Sequence, residues 1–379
     1  MKFGIQVVLN GKFGMINLFN NIYRDKVVLV TGHTGFKGSW LSLWLKQMGA
    51  KVVGYSLEPP TPVNHYNLLN LNIISIIGDI RDYKKLENTF AKYQPDIVFH
   101  LAAQPLVRLS YKEPKYTFET NIIGTLNIYE ISREMKFVKA IVSITTDKVY
   151  ENKEWIWGYK EIDPLGGYDP YSASKGCVEI LTSSYRSSFF NIDLYNKTHI
   201  TLLASCRAGN VIGGGDWSQD RLIPDIMKAA NQNMRVTIRN PYSIRPWQHV
   251  LEPLSGYLQI GQKLLEGKKD FAQAWNFGPN NEEIVTVKNM IKKMQKYWNK
   301  IDFVIKHKKD NFYETNTLRL DCSKAYIKLN WRSIWNIDKT LENTVLWYKN
   351  FYNNDSISTL KDLYQYIERA KKYKLSWTK

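Results

Sequence analysis

Apolar positions in the first half of the chain fall into short runs separated by segments of helical period. Val27–Thr31 (VVLVT) is a continuous, mostly β-branched run, the pattern of a strand buried on both faces of a parallel sheet. A glycine-bearing turn and an amphipathic segment over Ser39–Met48 follow, then a second β-branched run over Lys51–Tyr55. Together they read as a βαβ unit of about thirty residues. The alternation continues with strands expected at Ile73–Ile77, Ile97–Leu101 and Ala140–Ile144. Helices are expected at Tyr83–Tyr93, Thr117–Met135 and Tyr171–Phe190. This order predicts an α/β fold, a Rossmann-like doubly wound parallel sheet with helices on both faces. Beyond Asn210 the chain turns to loops bearing Gly, Pro and Trp with shorter helices, which predicts a smaller C-terminal α/β lobe over the strand ends. The expected division is an N-terminal extension over 1–23, the sheet domain over 24–208, and a mainly substrate-binding lobe over 209–379 with segments returning to the sheet.

Composition narrows the class. With 44% hydrophobic and 23% charged residues in 379, the chain can bury a full core and is not a disordered one. Three scattered cysteines (Cys177, Cys206, Cys322) argue against a disulfide framework or a thiolate metal site, and no metal is expected. No run approaches the ~18 apolar residues of a membrane span, and residues 1–14 lack a signal-peptide pattern. We expect a soluble cytoplasmic protein whose translation starts naturally at Met15. The charge is the unusual figure: 52 Lys+Arg against 35 Asp+Glu leaves +17. Such an excess suits a polyanion. The lysines, however, are dispersed, densest at Lys306, Lys308, Lys309 and at Lys371, Lys372, Lys374, Lys379, with no interleaved aromatic motif. Neither nucleic acid nor membrane is expected as a partner.

Chemistry first shows in Gly32-His33-Thr34-Gly35-Phe36-Lys37-Gly38, a GxxGxxG spacing directly after a strand and before a helix. The first glycine permits the tight turn, the second lets the backbone approach a pyrophosphate, and the third allows close helix–strand packing. The helix N-terminus adds free N–H groups and partial positive charge. The acid that usually meets the adenosine ribose belongs at Tyr55-Ser56, and the nearest carboxylate is Glu58. No carboxylate there repels a 2′-phosphate, and His33 and Lys37 offer it charge, so NAD and NADP both stay open. Asp79 is placed either to meet the adenine or to cap the helix beginning at Tyr83.

A second constellation is Tyr171-Ser172-Ala173-Ser174-Lys175, a Tyr and a Lys one helical turn apart on one face. An ammonium beside a phenol favours the phenolate, and the same Lys can hydrogen-bond ribose hydroxyls. Upstream, the strand Ala140–Ile144 ends in Thr145-Thr146-Asp147-Lys148. Ligands of parallel sheets bind at such carboxyl ends.

The glycine turn, the YxxxK pair and the strand-end Thr together resemble the extended short-chain dehydrogenase/reductase family. Leu101-Ala102-Ala103-Gln104 is similar to its strand-four motif beside the cofactor, and Asn121 in Thr120-Asn121-Ile122 matches its helix Asn. The blocks GHTGFKGSWLSL, QPLVRLSY, RAGNVIGGGDW, DRLIPDI and RNPYSIRPWQHVLEPLSG resemble its nucleotide-sugar 4,6-dehydratases, in particular the branch acting on CDP-glucose.

The resemblance implies NAD held by Gly32, His33, Gly35, Phe36, Lys37, Gly38, Asp79, Ile80, Leu101, Ala102, Ala103, Gln104, Thr120, Tyr171 and Lys175. It implies oxidation at C4 with Tyr171 and Thr146 on the 4-hydroxyl. Elimination of the 6-hydroxyl follows, with Asp147 as acid and Lys148, where relatives carry Glu, as base. Arg108, Asn210, Arg221, Arg239, Arg245 and Asn276 are the implied contacts of the nucleotide sugar. A homodimer and a place in deoxysugar and O-antigen-type synthesis are implied as well. Two alternatives remain: a nucleotide-sugar 4-epimerase on the same fold, and a non-catalytic nucleic-acid or nucleotide binding protein.

Overall fold

The computed structural model describes residues 15–279, 285–306 and 317–379. The proposed extension 1–14, and with it the choice of start codon, lies outside the described residues, as do Lys308 and Lys309. Six strands, β1 (Val27–Thr31), β2 (Lys51–Ser56), β3 (Ile74–Ile77), β4 (Ile97–His100), β5 (Ala140–Ile144) and β6 (Leu202–Arg207), precede three short ones. These are β7 (Val211–Ile212), β8 (Arg235–Ile238) and β9 (Gln248–His249), after which β10 (Ala274–Asn276) and β11 (Asp302–Ile305) complete the set. The central sheet runs β10-β6-β5-β4-β1-β2-β3, every pair parallel, with Thr31 beside both Tyr55 and His100. Strand order reverses between β1 and β4, the switch point at which ligands of doubly wound sheets bind. Beyond it, β11 pairs β8 and β7 pairs β9 in two small parallel ribbons.

Burial explains why the runs were legible. β4, β5 and β6 are buried at every residue, so no polar alternation survives in them. The helix Phe36–Gln47 departs from the amphipathic pattern expected of it: Gly38 through Leu45 are all buried. Its outer face is covered by the C-terminal segment, where Trp44 lies 6.0 Å from Tyr366 and 5.7 Å from Trp377, ring centre to ring centre. A second core gathers Ile223, Met227, Met290, Met294, Trp298 and Trp347 beneath the small ribbons.

The segment expected as one helix over Thr117–Met135 begins at Pro114 and carries a π-turn over Glu119–Ile123 before continuing as Gly124–Glu134. π-turns gather at functional sites. This one aims Asn121 at the main chain after β4. Its amide accepts from Gln104 N at 2.8 Å and donates to Ser174 Oγ at 2.8 Å, clamping that segment to the helix Pro170–Ser188.

Candidate active site

The carboxyl ends of β1 to β6 open into one cavity of about 890 Å³, closed on the far side by residues that include Asp216, Arg221, Arg239 and Arg245. That size suits a small-molecule site.

Its floor is the glycine turn. Gly32 has φ +77°, and a Cβ there would sit 2.9 Å from Ala102 N; one at Gly38 would sit 2.0 Å from Gly32 O. The outer two glycines are therefore imposed by packing. Gly35 is the N-cap of the helix Phe36–Gln47 and supplies no side-chain cap. The first helical N–H groups have no partner within the helix and meet the cavity. This cradle fits a dinucleotide pyrophosphate. Thr120 adds a buried hydroxyl with no partner among the described residues, on the same cavity wall. Asp79, Ile80, Leu101, Ala102, Ala103 and Gln104 line the same end. Helix Tyr83–Tyr93 is capped by Asp82, whose carboxylate accepts from Lys85 N at 3.1 Å. Asp79 is thus released from that role and instead holds Arg81 in a two-oxygen fork, accepting from Nε on Oδ1 and from Nη2 on Oδ2.

At the end of β2 the position expected for a ribose carboxylate holds hydroxyls. Thr34 Oγ1 lies 2.8 Å from Ser56 Oγ and donates to Leu57 O at 2.9 Å, while Glu58 is exposed. Two expectations need correction here. His33 does not line the cavity: its ring is packed under Gly54, where a Cβ would come within 2.3 Å, and its Nε2 pairs with Ser75 Oγ at 2.7 Å. Burial lowers its pKa to about 4, so it offers no charge to a 2′-phosphate. Lys37 does line the cavity, but at the reactive end. Its amine feels Arg221, Asp147 and Lys175 and lies 5.9 Å over the Tyr257 ring. Burial, then Arg221, lower its pKa to about 7, Asp147 opposing.

The reactive end joins β5 to the helix Pro170–Ser188. Thr146 caps the short 3-10 turn Asp147–Val149 and donates to Asp147 Oδ1 at 2.9 Å. Asp147 is buried, with Asn210 Nδ2 3.4 Å from its Oδ2. A Cβ on Gly209 would fall 1.8 Å from that same oxygen, so the carboxylate occupies the space that glycine leaves. Lys148 is half-buried in the cavity wall.

Tyr171 shares a hydrogen bond with Thr146, yet burial pushes its pKa up to about 12. The expected help from Lys175 takes another form. Lys175 Nζ donates to Ile144 O at 3.2 Å, burial lowers its pKa to about 8 against the pull of Glu179, and a cation whose field favours the phenolate is Arg221. Asp216 holds that guanidinium at 2.8 Å.

Of the residues expected to hold the substrate, Arg108, Asn210, Arg221, Arg239 and Arg245 reach the cavity. Asn276 does not. It is fully buried in β10, donating to Tyr159 O and Asp321 O and accepting from Tyr150 OH, and its amide ties the edge strand down. Sequence reasoning missed Gly209 and the Glu179–Arg207 pair, 2.9 Å apart and buried beneath the reactive helix. Glu179 follows Lys175 by four residues on the same helix face, a spacing that would have found it.

Among the described residues no group of His, Cys, Asp or Glu is arranged to hold a metal, and no helix is long and apolar enough to cross a membrane.

Comparison with known proteins agrees with this geometry. The chain is 52% identical over 331 residues to CDP-glucose 4,6-dehydratase of Salmonella typhimurium, covering 87% of this chain and 92% of that one. It is 25% identical to dTDP-glucose 4,6-dehydratase of Haemophilus influenzae, over 87% of this chain and 99% of that one. Among solved structures, UDP-glucose 4-epimerase of Thermotoga maritima superposes with TM-score 0.73 at 22% identity, covering 86% and 99% of the two chains. The dTDP-glucose 4,6-dehydratase of Bacillus anthracis, in complex with NAD, gives 0.68 at 20%, covering 87% and 98%. The model of the GDP-mannose 4,6 dehydratase family matches residues 29–344. With its cradle, its Tyr171–Lys175 helix and its strand-end trio in one cavity, the chain belongs to that family.

Proposed function

We propose that this chain is an NAD-dependent hydro-lyase that converts CDP-glucose to CDP-4-dehydro-6-deoxyglucose and water, in the supply of deoxysugars for O-antigen-type polysaccharide. The carrying observation is that Thr146, Asp147, Lys148 and Tyr171 border one cavity that also receives the glycine cradle. The half-identical relative supplies the nucleotide. A bound nicotinamide would take up hydride from C4 and give it back at C6, so none is consumed. It would rest on the Gly32–Gly38 cradle, Asp79, Ile80, Leu101–Gln104, Thr120 and Lys175.

The protein's own groups move the protons. Tyr171 accepts the 4-hydroxyl proton as its phenolate, with Thr146 on the same oxygen. Arg221 offsets part of the burial that keeps the phenol protonated. The resulting ketone acidifies C5–H, which is why oxidation precedes elimination. Lys148 takes the C5 proton and Asp147 protonates the departing 6-hydroxyl. Asp147 acts in its protonated form, and its carboxyl group is kept in place by Thr146 and Asn210. Arg108, Arg239 and Arg245 supply positive charge for the two phosphates.

A 4-epimerase returns hydride to C4 and needs no acid–base pair at C5 and O6, so Asp147 and Lys148 weigh toward the dehydratase. Incubation with CDP-, UDP-, dTDP- and GDP-hexoses, with NAD or NADP, decides between them. Loss of one water from CDP-glucose alone supports the proposal, and an isobaric product defeats it. We also propose a cytoplasmic homodimer without a nucleic-acid or membrane partner. Exposed Ile123 and Ile180 on the two long helices support the dimer, and light scattering tests it.

A further inference from the structure

Lys37 belongs to two parts of the cavity at once. Its main chain lies in the first turn of the helix Phe36–Gln47, whose free N–H groups belong to the pyrophosphate cradle. Its side chain lines the cavity as far as the reactive end, where the amine lies 5.9 Å over the ring of Tyr257, from the helix Leu251–Leu265. The charged groups that face it come from three other elements. They are Arg221 at the N-cap of the helix Leu222–Asn231, Asp147 in the 3-10 turn, and Lys175 on the helix Pro170–Ser188. The other cations here are engaged. Asp216 holds Arg221 at 2.8 Å, and Lys175 Nζ donates to Ile144 O at 3.2 Å. Asp147 already accepts from Thr146 and Asn210. The amine of Lys37 has no hydrogen bond or ion pair among the described residues. A cation left without a partner beside two others suits an anion that arrives from outside.

We propose that Lys37 is a cation shared by the two nucleotides, its ammonium serving both the pyrophosphate of the cofactor and the diphosphate of the nucleotide sugar, so that each ligand strengthens the binding of the other. The proposal rests on the dehydratase reading above and adds to it a coupling between the two ligands. Two diphosphates in one cavity repel each other. A positive charge that meets both offsets that repulsion, and thermodynamic linkage makes the gain reciprocal. Protonation of the amine is part of the device. Burial, then Arg221, lower its pKa to about 7 against the pull of Asp147, whereas an anion beside it favours the ammonium. The ring face of Tyr257 favours the ammonium as well. Binding of the two nucleotides at pH 8 therefore draws a proton from solution. The arginines of the far wall differ in this respect, since a guanidinium is charged before any ligand arrives.

The test is calorimetric titration of CDP, which keeps both phosphates and has no sugar to dehydrate, into the full chain with and without saturating NAD. It is run at pH 8 in HEPES and in Tris, whose different heats of ionisation reveal proton uptake. The wild-type protein should bind CDP on the order of 10-fold more tightly with NAD present, and take up a proton as it does so. Lys37→Met should bind each nucleotide singly and lose most of the enhancement and of the uptake. Lys37→Arg, always charged, should keep the enhancement while its uptake falls to what Lys175 contributes. Enhancement retained in Lys37→Met overturns the proposal, as does its loss in Lys37→Arg or its absence from the wild type. An equal fall in CDP affinity with and without NAD also overturns it, since the amine would then serve one ligand alone. So does a folded Lys37→Met that binds no NAD, because the amine would then act before the second ligand arrives. Failure of the wild type to bind CDP or NAD at all strikes the dehydratase reading instead, which keeps the two failures apart.

Discussion

Two buried charged clusters lie within one helix of each other and behave oppositely. Beneath the helix Pro170–Ser188, Glu179 accepts from Thr145 Oγ1, Ser205 Oγ and Arg207 Nη2, and Arg207 also donates to Tyr150 OH. Burial alone would raise the carboxyl, but Arg207 and these hydrogen bonds hold it below its ordinary pKa, and Arg207 is raised in return. Toward the N-terminus of the same helix, Tyr171 and Lys175, with Lys37 reaching in from the helix Phe36–Gln47, have too few countercharges, and burial shifts all three toward their neutral forms. The lower cluster fixes a position. The upper one stays ready to change protonation state, which is what proton transfer at a sugar hydroxyl requires.

The comparison breaks most sharply at Tyr171. Tyr171→Phe should cut product formation by roughly 10²–10⁴-fold with little change in melting temperature, because under the proposed mechanism the lost group transfers a proton and holds no fold contact of comparable worth. Undiminished turnover would place the proton acceptor elsewhere. Arg207→Met should do the reverse. Leaving Glu179 buried and unpaired costs about 3–5 kcal/mol, which chemical denaturation would register as a lowered midpoint before any kinetic defect is read.

Gly209→Ala tests how closely the two clusters are fitted. Its methyl claims the space of Asp147 Oδ2, and a displacement near 1 Å costs on the order of 10²-fold in rate. We expect kcat to fall while the KM for the nucleotide sugar holds, since the arginines are untouched. The smallest effect concerns Lys175→Met. The folded-state pKa of Lys175 is depressed to about 8 from 10.5, so below pH 8 the charged amine is carried into the fold at a cost. The unfolded chain holds more protons between those values, and wild-type stability therefore rises as pH climbs through that window. The variant should melt higher than wild type at pH 7, with the advantage shrinking toward pH 10.5. A constant difference across that range would remove the ionisation of Lys175 from its cause.

How much was legible divides along the same line. The strands β1 and β5 and the helix Tyr83–Tyr93 have the bounds that the apolar runs predicted. The amphipathic reading of Ser39–Met48 failed because the second face of the helix there is covered by Tyr366 and Trp377, more than three hundred residues away. His33 and Lys37, four residues apart in one motif, point to different environments, one under Gly54 and one among Arg221, Asp147 and Lys175. The +17 follows the same rule. Arginines from separate loops converge on one cavity, whereas Lys371 and Lys372 are exposed on the last long helix.

What the sequence by itself determined was local and periodic: the βαβ alternation, the glycine cradle, the Tyr171–Lys175 spacing and the Thr146–Lys148 strand end. Each depends on neighbours within a turn of helix or a strand length, where chain connectivity sets geometry. Only the tertiary structure decided which cation faces the phenol, that Asn276 anchors an edge strand, and that Gly209 makes room for a carboxylate. Those outcomes depend on burial and through-space fields between segments far apart in the chain, and both quantities exist only once the segments have packed.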